Sequence, residues 1–267
     1  MRIAVGGIAV LAPGLDGWAA SRDVLAGRAA YAEAPLALPP PPSLPPAERR
    51  RTTATIRLAM AVAEAALAAS VPVDVRRLAS VFASANGDGA VIATILEALA
   101  ATPRVVSPTQ FHNSVHNSPP AYWAIGAGGM GASTSLGCWD VSFAAGLLQA
   151  AAKVTVRREP VLLCAYDMPF PEPLASVRFT TFPFAVAMLL TPARNEHTEA
   201  ELAVRFVAEP LPAEEALPRL PALRQLHAAN PAARSLRLLE ALARRDTDLV
   251  RLAHLDGAHV AIEVGPC

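Results

Sequence analysis

Lysine is almost missing from this chain. Lys153 stands alone, and apart from histidine every other basic residue is arginine. With abundant alanine and 25 prolines, that bias fits a GC-rich genome and carries no functional message. An excess of either charge is missing too. The formal net charge of +0 argues against a protein held on nucleic acid by phosphate contacts. Cysteine is scarce: Cys138, Cys164 and Cys267 are far apart, odd in number and without metal-ligand spacing. They suit a reduced, cytoplasmic setting. No apolar run reaches membrane-spanning length without a charge, proline or glycine, so no integral membrane segment is expected. Neither a metal nor a cofactor is expected.

What is present is a large apolar content, 53% of 267 residues, enough for a sizeable core in a single domain over residues 1–267. "MRIAVGGIAVLAPG" is apolar but short, with an early Gly-Gly and then Pro13. It reads as a first strand in preference to a signal peptide. "DGWAASRDVLAG" has helical spacing and a stop at Gly27. "APLALPPPPSLPP" (34–46) can be neither helix nor inner strand and predicts a surface loop within one domain, in preference to a linker between two. "AERRRTTATIRLAMAVAEAALAAS" (47–70) predicts one long helix, with Ile56, Met60, Ala63 and Leu67 on a shared face. Arg49, Arg50 and Arg51 then fall in its first turn, the unfavourable end of the dipole. They make either a docking patch for an acidic partner or a solvated face.

Further along, 78–84 reads as a strand, Gly87-Asp88-Gly89 as a turn and 90–102 as a helix. "SPTQFHNSVHNSPP" (107–120) predicts a polar loop, and loops often carry function. A short helix through "AYWAIGAGG" follows, then the strand "STSLG" (133–137), the helix "VSFAAGLLQAAAK" and the strand "PVLLCAYD". "FAVAMLLTP" and "ELAVRFVAE" predict two strands joined as a hairpin through "ARNEHT". The tail predicts the helix "AARSLRLLEALARR" and a last strand "AHVAIEV". Apolar strands alternating with helices argue an α/β layered domain. The all-round apolar helix at 143–152 predicts burial between two sheets or at an interface.

Cys138 sits where a strand turns sharply into a helix. That outline can present a thiol to the helix dipole and to free amides. Its neighbours oppose this: the Trp139 indole crowds the site and the Asp140 carboxylate disfavours a thiolate. Asp140 is also a candidate N-cap. Of the histidines, His112 and His116 lie in the suggestive 107–120 segment. Cys138 is therefore either a nucleophile or a small buried hydrophobe.

Several of these stretches resemble the N-terminal half of a β-ketoacyl synthase, of the thiolase-like fold. The opening "AVGGIAVLAPGLDGWAASRDVLAGRAAY" is similar to the synthase start. "SPTQFHNSVHNSPPAYWAIGAGGMGAS" is similar to S-P-F-F-x-P-x-x-x-x-N-x-x-A-G-x-x-S-x-x-x-G-x-x-G-P, with Ser107, Pro108, Asn117 and Gly131 on family positions. "STSLGCWDVSFAAGLLQA" covers the family's nucleophile turn, and "VLLCAYD" the strand ending G-G-x-E. The resemblance is clear over 1–192 and weak after about 195. Ala121, Ala124 and Ala132 depart from the pattern, and either Cys138 or Trp139 falls on the nucleophile position. The histidine motifs of the synthase's second half are missing.

The resemblance implies a mixed sheet with helices on both sides. It also implies a non-catalytic, chain-length-factor-like partner of a full-length ketosynthase, meeting acyl carrier protein in fatty acid, polyketide or aryl polyene-type biosynthesis. Thr109, Gln110, Phe111, His112, His116, Asn117 and Trp139 would then face the acyl tunnel or the partner. Ser133, Thr134, Ser135, Leu136 and Gly137 would form the interface strand. The alternatives are an active thiol acyltransferase or condensing enzyme using Cys138, and a stand-alone carrier-protein-binding scaffold.

Overall fold

The computed structural model describes residues 1–178 and 180–265; Cys267 lies outside them. In chain order the strands are β1 (Arg2–Ala12), β2 (Leu15–Asp16), β3 (Ala79–Ala83), β4 (Ser133–Leu136), β5 (Val161–Asp167), β6 (Phe184–Thr191), β7 (Ala200–Val207), β8 (Asp248–Ala253) and β9 (His259–Gly265). The helices are α1 (Trp18–Leu25), α2 (Pro46–Arg49), α3 (Ala54–Ala68), α4 (Gly89–Ala100), α5 (Pro108–Ser114), α6 (Ser118–Ala127), α7 (Ser142–Arg157), α8 (Pro221–Ala229) and α9 (Leu236–Arg244).

The strands form one sheet in the order β4-β3-β5-β6-β1-β7-β9-β8, with β2 folded onto β1. Among the described strands only β4, β3 and β5 run parallel. The sheet is buried on both faces over β5, and its side chains sort with a period of two. Val161, Leu163 and Ala165 join the core that holds α1, α7 and α9. Leu162, Cys164 and Tyr166 join the core under α3. Gly7 allows α3 to settle on β1, since a Cβ there would lie 2.3 Å from the Ala66 carbonyl oxygen. Gly131 plays the same part where the chain enters β4, since a Cβ there would lie 2.1 Å from the Leu78 oxygen.

Several expectations need correction. Residues 47–70 are two helices. Thr53 breaks the run in an extended conformation, and its hydroxyl accepts from the Ile56 amide as the N-cap of α3. The arginine triplet therefore never meets the dipole of α3. Arg49 donates to the Pro42 and Leu44 carbonyls and clamps the proline-rich strap, Arg51 pairs with Glu48, and Arg50 is exposed. The strap lies on the surface as expected, pinned by Leu44 against Ile56, Met60 and Tyr122.

The 107–120 segment is mostly helical, because Pro108 opens α5 and Pro119 and Pro120 lie in the first turn of α6, where no amide hydrogen is needed. β6 and β7 are not a hairpin, since β1 lies between them and pairs with both. α7 is not sandwiched between two sheets. The described strands form a single sheet, and α7 packs against it with Ala232, Ala233 and α9 in the same core. The strand reading of 133–137 ends one residue early, at Leu136. Helix α8 and strand β8 were not anticipated.

The break at Thr53 is testable by denaturation. Thr53→Ala should cost about 1 kcal/mol as a lost cap. In one continuous helix, alanine would be neutral or stabilising there.

Candidate functional site

The parallel strands β3, β4 and β5 end on the same side of the sheet, so the segments that follow them converge. This is the usual ligand-facing end of such sheets. Asp167 closes β5 and is fully buried. Its Oδ1 accepts from the Ser84 hydroxyl (2.8 Å) and from the Ala85 and Asn86 amides (2.9 Å each). Burial pushes its carboxyl up to about 7, against the lowering effect of those hydrogen bonds and of Arg178. Asn86 then receives the Arg178 Nε–H on its Oδ1 at 3.0 Å.

Arg178 links this tie to the turn between β4 and α7. Its guanidinium carbon lies 4.1 Å from the centroid of the Trp139 ring, and its Nη2 reaches Asp140 Oδ1 at 2.6 Å. Arg234 holds the other Asp140 oxygen at 3.4 Å. Asp140 is therefore not the helix cap. The cap position is Val141, which offers no side-chain oxygen, and two guanidiniums hold the carboxylate instead. Trp139 occupies the apex of the turn with φ +51°, a strained conformation for a bulky residue, and is 65% exposed. Ser142 braces the turn. Its hydroxyl accepts from the Cys138 amide and donates to the Trp139 carbonyl.

Of the residues singled out from sequence, His116 is brought to this turn. Its Nε2 meets the Ser84 carbonyl at 3.0 Å, and the ring lies beside Gly137. Cys138 is half-buried directly before the apex. His112 stands apart on α5, edge-on to Tyr122. Thr109 and Phe111 are exposed on the same helix, and Gln110 borders a cleft with Asp88, Thr94 and Met168. Asn117 is exposed at the start of α6, with no capping side-chain bond. On the edge strand β4, Ser133 bonds Ser80, and Lys153 donates to Thr134. Cys164 is fully buried, so its thiol is pushed far up and does not ionise. Asp167, Arg178, Arg234 and Asn230, whose amide group donates to the Asp167 and Phe182 carbonyls, were not anticipated. Only the lone aspartate ending "VLLCAYD" offered a signal. No cluster that could hold a metal occurs among the described residues.

Residues 18–255 match the model of the β-ketoacyl synthase N-terminal domain. The chain belongs to this family. Among solved structures, this synthase-family chain is similar to the ketosynthase ApeO in complex with its chain length factor ApeC, from Xenorhabdus doucetiae. That match has 23% identity and TM-score 0.72, covering 98% of this chain and 99% of that one. It is also similar to the ishigamide ketosynthase/chain length factor (16% identity, TM-score 0.71, 99% of each chain). A third is the AntDE:AntF assembly, titled as a type II acyl-carrier protein with its ketosynthase (11%, TM-score 0.72, 100% and 99%). These likenesses bear out the thiolase-like fold. Among curated protein sequences none matches the chain.

Two buried groups predict opposing pH effects. Folding favours protonated Asp167, so its contribution is complete below about pH 4 and is lost as pH rises through about 7. Folding favours neutral His227, whose imidazole burial pushes down to about 4, so that contribution is lost as pH falls from 6.5 towards 4. Asp167→Asn should therefore gain stability relative to wild type as pH rises from about 4 to 7 in urea titrations. A gap that is constant with pH would contradict the assignment.

Proposed function

We propose that this chain is a non-catalytic, chain-length-factor-like subunit. It pairs with a full-length β-ketoacyl-carrier-protein synthase and shapes the tunnel in which the partner's acyl chain grows. The observation that carries the reading is the turn itself. An indole stands at its strained apex, a guanidinium covers that indole, and the next carboxylate is neutralised by two arginines. A nucleophile at such a turn needs open space for an acyl group and a free base. Here a bulky indole directly follows Cys138, and His116 Nε2 is engaged on a backbone carbonyl.

The edge of the sheet supports the pairing. Among the described residues β4 is hydrogen-bonded to β3 on one side only, and such an edge invites a mate. Around α4 and α5, Leu96, Leu99, Val105, Phe111 and Val115 are exposed apolar side chains. The ApeO–ApeC and ishigamide structures are of a ketosynthase with its chain length factor, the assembly proposed for this chain. Acyl carrier protein would meet the pair as it delivers extender units. No helix among the described residues is long and apolar enough to cross a membrane.

Co-expression with a full-length synthase tests the proposal. The two chains should co-elute in gel filtration, burying more than about 1,000 Å². Ser135→Pro on β4 should break the pair. Within the intact pair, Thr109→Trp or Gln110→Trp should shorten the product by overpacking the tunnel end, at about 1–3 kcal/mol. Phe111→Ala should lengthen it, read by mass spectrometry. A chain that elutes alone, or product lengths unchanged in every variant of an intact pair, would count against the reading.

A further inference from the structure

Arg178 stands between two carboxylates that are unequally served. Asp140 holds two guanidiniums, from Arg178 and Arg234. Asp167 holds none, and its Oδ2 is buried with no hydrogen-bond partner among the described residues. The path between them is short. Arg178 Nε–H donates to the Asn86 side chain, and the Asn86 amide donates to Asp167 Oδ1. Because Asp140 keeps Arg234, it can release Arg178 and remain paired. An ionised Asp167 has no comparable reserve, and an uncompensated buried charge is strongly unfavourable.

We propose that Arg178 is an exchangeable counter-ion: when the Asp167 carboxyl loses its proton, Arg178 moves from Asp140 to Asp167 and uncovers the Trp139 indole. The turn between β4 and α7 thus has two states. In one, the guanidinium lies on Trp139 and the indole is braced. In the other, the indole is free to turn, and the space at the end of β4 changes shape. This goes beyond the pairing function and does not depend on it.

The surroundings of Asp167 allow one group to dominate the change. On β5, Tyr166 and Cys164 are both pushed up by burial and stay neutral. Asp88, the N-cap of α4, acts on Tyr166 and helps to push that phenol up. Arg178 is the cation that favours the ionised form. One residue further out, His116 lies on the Ser84 carbonyl and Arg234 on Asp140. The Asp167 carboxyl is raised to about 7, so the two states exchange near neutral pH.

Tryptophan emission of the full chain tests this, with Trp139→Phe subtracted to isolate Trp139 from Trp18 and Trp123. As pH rises through about 7, the Trp139 component should move to longer wavelength as its guanidinium cover leaves. Asp167→Asn should abolish that transition while far-UV circular dichroism stays native. Arg178→Gln should hold the long-wavelength signal at every pH. Arg234→Gln should shift the midpoint upward, because Asp140 then grips Arg178 alone. A flat Trp139 component in wild type overturns the proposal, and so does a transition that survives in Asp167→Asn. If Asp167→Asn does not fold, an Arg178→Gln variant that still shows the transition, or an Arg234→Gln variant with an unmoved midpoint, overturns it equally.

Discussion

Burying a carboxylate is costly unless its oxygens are hydrogen-bonded, and Asp167 is served by three donors on a single oxygen. Those donors belong to the three residues that follow β3, so the bond fixes where the chain leaves the sheet. The Ser84 hydroxyl then accepts from the Gly87 amide and shapes the approach to α4. Asn86 passes the constraint to Arg178, and Arg178 passes it to Trp139 and Asp140. Asn230 joins the Asp167 and Phe182 carbonyls from the other side. The geometry of the β4–α7 turn thus depends on a carboxylate that never touches it.

This dependence explains how the turn can hold a bulky aromatic at its apex. A tryptophan with positive φ is strained and persists only if its surroundings over-determine it. The cation on the ring face, the Ser142 hydroxyl bridging the turn and the doubly paired Asp140 do so together. What remains open to a second protein is the neighbouring edge strand and the apolar side chains of α4 and α5. The polar contacts converge on the turn, while Leu96, Leu99 and Phe111 stay exposed on α4 and α5.

The core elements were legible in the sequence because their signals are local. "VLLCAYD" is too short and too apolar for anything but an inner strand, and "VSFAAGLLQAAAK" has the length and period of a helix. Errors arose where one residue outweighs a pattern. Thr53 divides an otherwise continuous helical stretch by offering a better cap. The prolines of 107–120, read as breakers, begin helices because they fall at first-turn positions. The hairpin reading of β6 and β7 failed for a different reason: β1 comes between them from the far end of the chain. The candidate site was half legible. Trp139, Cys138 and His116 stand in suggestive stretches. Arg234, however, lies 94 residues from the Asp140 it pairs with, and no local pattern announces such a contact.

The central proposal is that the turn at Cys138 and Trp139 does not carry acyl groups. Intact-protein mass spectrometry, after mixing the purified pair with an acyl carrier thioester, tests it most directly. The account predicts an acyl adduct on the full-length synthase and unmodified mass for this chain. An adduct on this chain that disappears in Cys138→Ala would contradict it.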